Sequence, residues 1–292
     1  MLRTIFENLY CRLPLVRESR EIRDSLSRIE KALKAGQLIR LLDFESHDHP
    51  RYGDPRRLLR YHSQVSSQNG EDGIIHEIFR RIGTTTKIFA EVGVGDGCEN
   101  NTAFLLSQGW TGFWVDECNN FMRALENRED LQKDCLKYLV SIVSRENIAG
   151  LFEQLGVPKE FDLLSLDIDQ NTYYAWEGLR GFRPRVVVAE YNGAIPPDID
   201  WKVRYRSNRI WNGTQNFGAS LKAFEILGRQ FGYSLVGCEF VGSNAFFIRD
   251  DLLAGHFAEP FTSENHHEPP RYWMAHRRSH PAAILDRTNN GS

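Results

Sequence analysis

Apolar and polar positions divide the chain into stretches of different period. Over residues 17–42, Ile22, Leu26, Ile29 and Leu33 recur at spacings of four, three and four with charges between them. That spacing predicts a helix with a two-heptad apolar seam, which either pairs two copies or docks on the chain's own body. Residues 43–66 hold Pro, Gly and mixed charge without periodicity and read as a linker. From residue 67 the pattern is regular. Ile74, Ile75, Ile78, Phe79 and Ile82 form one helical stripe, ended by Gly83. Apolar runs at 87–92, 112–116, 137–143, 161–168, 185–191, 233–240 and 244–249 predict strands. Between them, 99–109, 119–131, 145–155, 171–180 and 217–231 predict helices. Strand–helix alternation implies βαβ units and a mainly parallel sheet. Only a Gly-Ser-Asn break separates the last two runs, a hairpin signal, so the last strand is expected to be antiparallel. The predicted fold is α/β: a doubly wound, seven-stranded, mainly parallel sheet with a C-terminal antiparallel hairpin strand, preceded by an N-terminal helical segment. The expected divisions are 1–60 for that segment and linker, 61–255 for the α/β domain and 256–292 for a tail.

Composition narrows the classes. The 292 residues carry a net charge of −3, so no global basic field exists for nucleic acid. No apolar run reaches the length of a membrane span, and the opening "MLRTIFENLYCRLPLV" lacks the long apolar core and cleavage site of a signal peptide. Cys11, Cys98, Cys118, Cys135 and Cys238 are scattered, with no CxxC pair. They indicate neither a zinc site nor a disulfide framework, and fit a reducing cytoplasm. His266, His267, His276 and His280 follow no metal-site spacing and read as surface residues.

The candidate chemistry begins in "IFAEVGVGDGCENNT", residues 88–102. An apolar strand reaches an acid and then Gly93, Gly95 and Gly97 at alternate positions, in the loop where open α/β sheets bind ligands. A dinucleotide fingerprint would place a glycine where Cys98 stands. Glu91, two residues before the first glycine, would repel a pyrophosphate and attract an amine. The second strand ends in Asp116 and Glu117, where a carboxylate accepts hydrogen bonds from a ribose diol. An adenosine-like ribose with an amino-acid head and no phosphates describes S-adenosylmethionine. The bland alternative is that Glu91 and Asp116 only cap strand ends.

The "EVGVGDG" motif resembles the first motif of class I S-adenosylmethionine-dependent methyltransferases. With "SQNGEDGIIHEIF", "DLLSLDIDQNTYYAWEGL", "PRVVVAEYN" and "FGASLKAFEILGRQFGYSLVG", it is similar to the FkbM-like family of polysaccharide-cluster methyltransferases, over roughly residues 64–252. The resemblance implies a Rossmann-like methyltransferase fold, S-adenosylmethionine as cofactor and O-methylation of a sugar hydroxyl in a glycan.

A hydroxyl acceptor needs a base. "SLDIDQN" supplies Asp167 and Asp169, alternate residues that share a strand face and are close enough to hold a cation or to split their pKa values. The same stretch resembles the Asp-x-Asp segment of macrocin-type sugar O-methyltransferases. That resemblance makes Asp167 a Mg2+ ligand and Asp169 the base, and puts Glu190 and Asn192 where further ligands stand; the family's paired acids are absent there. Asp169 would alternatively cap the helix that follows. In "SSQNGED", residues 66–72 before the first helix, Gln68 and Glu71 are further cofactor-site candidates; equally, Ser67 or Asn69 caps that helix and Glu71 or Asp72 favours its N-terminus. The stretch 193–216, with Trp201, Tyr205 and Trp211, is long for a loop and reads as a substrate lid, or else as a packed excursion. Two other readings stand beside the enzyme: a non-catalytic methyltransferase-like module that binds a partner through its N-terminal helix, and an NAD(P)-dependent oxidoreductase.

Overall fold

Strands β1 (Ile88–Val92), β2 (Thr111–Asp116), β3 (Leu136–Val140), β4 (Glu160–Leu166), β5 (Arg183–Glu190), β6 (Tyr233–Cys238) and β7 (Asn244–Arg249) form one sheet in the order β3-β2-β1-β4-β5-β7-β6. This computed structural model describes residues 52–272 apart from 96, 98, 118–134 and 208–210, together with nine helical positions between Ser19 and Gly36. β1 runs parallel to β2 and β4, and β2–β3 and β4–β5 are parallel as well. β7 enters between β5 and β6 and is antiparallel to both, as the short break before it predicts.

Alternation along each strand sends side chains to two separate cores. Phe89, Trp114, Leu163, Val186 and Phe246 face α1 (Glu71–Ile82) and α2 (Ala103–Ser107). Ala90, Val115, Leu164, Val187 and Phe247 face α3 (Ile148–Leu155), α4 (Thr172–Gly178) and α5 (Leu221–Phe231). The sheet is therefore doubly wound, buried on both faces, and its central strands read as continuous apolar runs for that reason.

Helix ends follow the polar chemistry rather than the apolar stripe. Ser220 caps α5 by accepting from Ala223 N, and Gly232, with φ 81°, ends it in the left-handed region. The helix expected over 99–109 starts only at Ala103, because Asn100, Asn101 and Thr102 turn their polar groups onto Glu91. The strand expected over 137–143 ends at Val140. The helix expected over 119–131 lies outside the described residues.

The packed body takes in both flanks of the expected α/β segment. Tyr52, Leu58 and Leu59 are buried, as are Phe257 and Ala258. A short helix, α6 (Ser263–His266), is capped by Thr262 through Asn265 N. His266 is not a surface residue as its spacing suggested, and His267 is half-buried. His266 is buried and bonds Ala258 O, and His267 bonds Gly193 O. His276 and His280 lie outside the described residues. Ile22, Leu26, Ile29 and Leu33 occupy helical positions and are 56–64% exposed, so the seam does not dock on the body. Cys135 and Cys238 carry free thiols. Among the described residues no helix is long and apolar enough to cross a membrane.

Candidate active site

Strand order reverses between β1 and β4, and their carboxyl ends open a crevice there. The two chains stay in touch past the strands: Asp167 N donates to Val92 O at 2.9 Å. Gly93 sits beside this contact with φ 85°, and a Cβ there would overlap the Asp167 carbonyl. Only glycine allows the approach. The chain then turns through Val94 and Gly95, whose N–H groups donate to Asp116 Oδ2 at 2.7 and 2.9 Å. Gly95, with φ 63°, has nothing within 4 Å of where a Cβ would stand. Gly97 is buried and donates its N–H to Val94 O, closing the turn. A cavity of about 500 Å³ lies over this turn.

Glu91 is not part of the cavity wall, contrary to its expected place beside a ligand's amine. It is buried to 1% exposure on the α1–α2 side of the sheet. Its carboxylate accepts from Asn100 Nδ2, Asn101 N, Thr102 N and Oγ1, and Ser165 Oγ. Burial pushes its pKa up, and those donors oppose the rise. Glu91 is thus the knot that ties the glycine loop to β4, while Glu99 and Asn100 reach the cavity in its place. Asp116 and Glu117 do line it, from the end of β2. Gln68 lines it from the turn before α1, whereas Glu71 is buried behind that turn and accepts from Asn69 N and Asn244 Nδ2.

The opposite wall carries the acids. Asp167 and Asp169 follow β4, Glu190 ends β5, and one carboxylate oxygen of each lies within 4.8 Å of the others. Burial, and then the charges of Asp167 and Asp169, push the Glu190 pKa well above the carboxylate range. Its Oε2 is buried without a hydrogen-bond partner. Asp169 is held at φ 52°, an uncommon and costly conformation for a residue with a side chain. It does not cap α4: Asn171 stands at the N-cap, and Thr172 Oγ1 accepts from Ile168 N. Asn192 is not placed to be a ligand. Its Nδ2 donates to Gln215 O and Phe217 O and its Oδ1 accepts from Ala194 N, which pins the excursion that follows β5.

That excursion is anchored to the body at several points, with exposed stretches between them. Trp201 and Val203 are buried, Lys202 bridges Ala219, and the Tyr205 hydroxyl donates to Glu146. Of its three aromatics only Trp211 lines the cavity. Other elements complete the wall. Ser141, Ile142 and Val143 follow β3, Asn69 precedes α1, Ser243 comes from the β6–β7 turn, and Tyr272 comes from the tail. The β3 positions were legible as a strand end; nothing in the sequence pattern marks Tyr272.

The lining has one electrostatic sign. Glu99, Asp116, Glu117, Asp167, Asp169 and Glu190 line the cavity, and among the described residues no Lys, Arg or His does. Asn100 Oδ1, Asn171 Oδ1 and Glu190 Oε2, all buried acceptors of lining residues, have no partner. Unsatisfied buried acceptors are costly, so the site suits a ligand rich in donors or a cation, and opposes phosphates.

No protein-family model matches the chain, and no curated protein does. Among solved structures the chain is similar to the N-terminal domain of EvdMO1 with SAH bound (10% identity, TM-score 0.40, 63% of this chain and 80% of that one). It is also similar to the methyltransferase domain of bacterial CtHen1-C (14% identity, TM-score 0.39, 62% and 97% of the chains). A third likeness is to a SAM-dependent methyltransferase from Geobacter sulfurreducens in complex with S-adenosyl-L-homocysteine (12% identity, TM-score 0.34, 61% and 70%). Likenesses this distant say nothing of activity.

Proposed function

We propose that the chain is an S-adenosylmethionine-dependent methyltransferase that methylates a hydroxyl of a sugar in a glycan or glycoconjugate. The observation that carries this reading is one cavity with two chemistries: a bare glycine turn with strand-end carboxylates on one side, and a carboxylate cluster on the other. S-adenosylmethionine, when bound, supplies a methyl group on a sulfonium. The residues fit it. Gly95 leaves room for close approach, Asp116 and Glu117 are acceptors for a ribose diol, and Ser141 to Val143 flank the outer end. Asn100 Oδ1, with Glu99 on the same wall, suits an ammonium group in place of Glu91. The charged residues of the lining, all acidic, oppose a dinucleotide pyrophosphate and disfavour the oxidoreductase reading.

On the acceptor side, Asp169 takes the hydroxyl proton as base and Asp167 orients the oxygen. Asp167, Asp169 and Glu190 also fit a divalent cation such as Mg2+, since three carboxylate oxygens this close are hard donors and Glu190 Oε2 is unpartnered. A cation there would supply positive charge to an oxygen losing its proton. Asn192 takes no part in it. We further propose that the exposed Ile22–Leu33 seam pairs two copies of the chain.

The test is calorimetric titration with S-adenosylhomocysteine, with and without Mg2+, on the native chain, Asp116→Ala and Asp169→Asn, with NADH as control. Micromolar binding that Asp116→Ala weakens and Asp169→Asn spares is expected, with turnover of an identified acceptor lost in Asp169→Asn. No binding to the folded native chain would sink the enzyme reading and favour the non-catalytic module. Binding of NADH instead would favour the oxidoreductase.

A further inference from the structure

The chain's last described stretch crosses the end of the sheet and delivers one side chain to the cavity. Its course is fixed at several points. His267 bonds Gly193 O beyond β5, and the Tyr191 hydroxyl donates to Glu268 O at 2.7 Å. Arg271 N donates to Val241 O at 2.7 Å, and Arg271 Nη1 to Phe240 O at 2.6 Å, in the β6–β7 turn. The guanidinium also lies 4.1 Å over the Phe240 ring. Glu268, 2% exposed, gathers these fixings: Oε1 accepts from the Tyr52 hydroxyl at 2.6 Å and Oε2 from Arg271 at 2.9 Å. The turn has been cleared for the strap. At Gly242, with φ 80°, a Cβ would stand 2.6 Å from Pro269 O and 2.7 Å from Glu268 O.

Tyr272 follows at once and lines the cavity on the side of the acids, its hydroxyl 3.5 Å from Gly242 O. Burial and the charges of Glu190, Glu239 and Asp167 push its pKa up, so it presents a neutral ring and hydroxyl. Trp211 lines the same cavity, its indole N–H donating to Thr214 O at 2.7 Å. Two aromatic side chains beside three carboxylates are the chemistry of a pyranose site. The apolar C–H face of a sugar lies on a ring, and its hydroxyls donate to carboxylates.

We propose that Tyr272, held by the 263–272 strap, is an acceptor-binding residue that stacks on a sugar ring and sets which hydroxyl meets Asp167, Asp169 and Glu190. The proposal deepens the methyltransferase reading and rests on its division of the cavity into cofactor and acceptor sides. It also brings residues beyond 252, outside the family resemblance, into substrate selection.

The test uses the native chain, Tyr272→Phe and Tyr272→Ala. Binding of methyl glycosides of common hexoses and deoxyhexoses is read by saturation-transfer NMR, and S-adenosylhomocysteine is titrated in parallel. At least one glycoside is expected to bind the native chain. Tyr272→Ala should weaken it about tenfold, the loss of one aromatic face, and Tyr272→Phe only a fewfold. S-adenosylhomocysteine affinity should be unchanged in both. Should Tyr272→Ala fail to fold, Tyr272→Leu, which fills the space without an aromatic face, is read in its place. Equal glycoside binding by the native chain and the variant overturns the proposal. So does a native chain that takes S-adenosylhomocysteine and no glycoside. Tyr272-dependent glycoside binding without S-adenosylhomocysteine binding would instead remove the methyltransferase reading and leave the sugar wall standing.

Discussion

At the scale of single residues, two glycines in one turn do different work. Gly93 is required by the fold: its missing Cβ lets the turn after β1 lie against the Asp167 carbonyl. Gly95 is bare toward open space, so the fold asks of it only a positive φ. Gly95→Ala should therefore cost about 1 kcal/mol of stability, the strain of a left-handed alanine, yet weaken S-adenosylhomocysteine binding severely. Gly93→Ala should lose both together. Urea unfolding beside calorimetry separates the two, and equal loss of stability in the two variants would refute the division. Glu91 teaches a related lesson. Its place in the sequence suggested a ligand contact, because a carboxylate beside glycines reads as electrostatics. The structure spends that carboxylate on five hydrogen bonds within the protein. Sequence supplies the residue type at a strand end; which face it points to depends on the register against β4, which no local pattern contains.

At the scale of elements, strands were legible because burial on both sheet faces writes them as apolar runs. All seven expected strands occur, and those of β6 and β7 begin where the pattern places them. Helix starts were less legible, since a polar side chain chooses between helix and loop according to its tertiary partner, as Asn100 to Thr102 do. Buried acids were not legible at all. Glu71, at the start of α1, and Glu239, in the β6–β7 turn, are both fully buried. Glu239 accepts from Val241 N, Ser243 N and Oγ, and Asn244 N, and Asn244 Nδ2 reaches Glu71. Burial and the neighbouring Glu71 charge push the Glu239 pKa from 4.5 to about 8, and Glu71 is raised as well, chiefly by burial. A raised folded pKa stabilises the folded state while the group is protonated. That contribution is complete below about 4.5 and is lost as pH rises through 8. The urea midpoint should thus fall as pH rises across that window. Glu239→Gln, with no proton to lose there, should make the fall shallower, with the remainder coming from Glu71, Glu91 and Glu190. An unchanged slope would show that Glu239 does not titrate in the window.

At the scale of the whole molecule, the N-terminal seam differs from the stretches that flank the sheet. The described N-terminal helical positions leave Ile22, Leu26, Ile29 and Leu33 exposed, whereas residues 52–61 and 256–272 belong to the packed body. Composition alone could not separate these: the seam of 22–33 is periodic whether or not it docks, and residues 43–66 and the tail have no periodicity although parts of both are buried. Removal of residues 1–51 should convert a dimer to a monomer in light scattering while leaving S-adenosylhomocysteine affinity and the urea midpoint nearly unchanged. A native chain that is already monomeric at high concentration would refute the pairing of the seams.

The contact between Tyr52 and Glu268 has a consequence for how the chain is strung. These residues, 216 apart in sequence, touch at 2.6 Å, so the packed body begins and finishes at one place. Such a body is close to a ring, and where a ring is cut matters little to its thermodynamics. A circular permutant that joins residue 272 to residue 52 by a short flexible linker, and opens the chain at exposed Gly181, should fold and bind S-adenosylhomocysteine as the native body does. The same geometry means that cargo joined at residue 52 or at residue 272 of the packed body would be tethered near Tyr272. Either attachment would then raise the local concentration of a glycan at the mouth of the cavity.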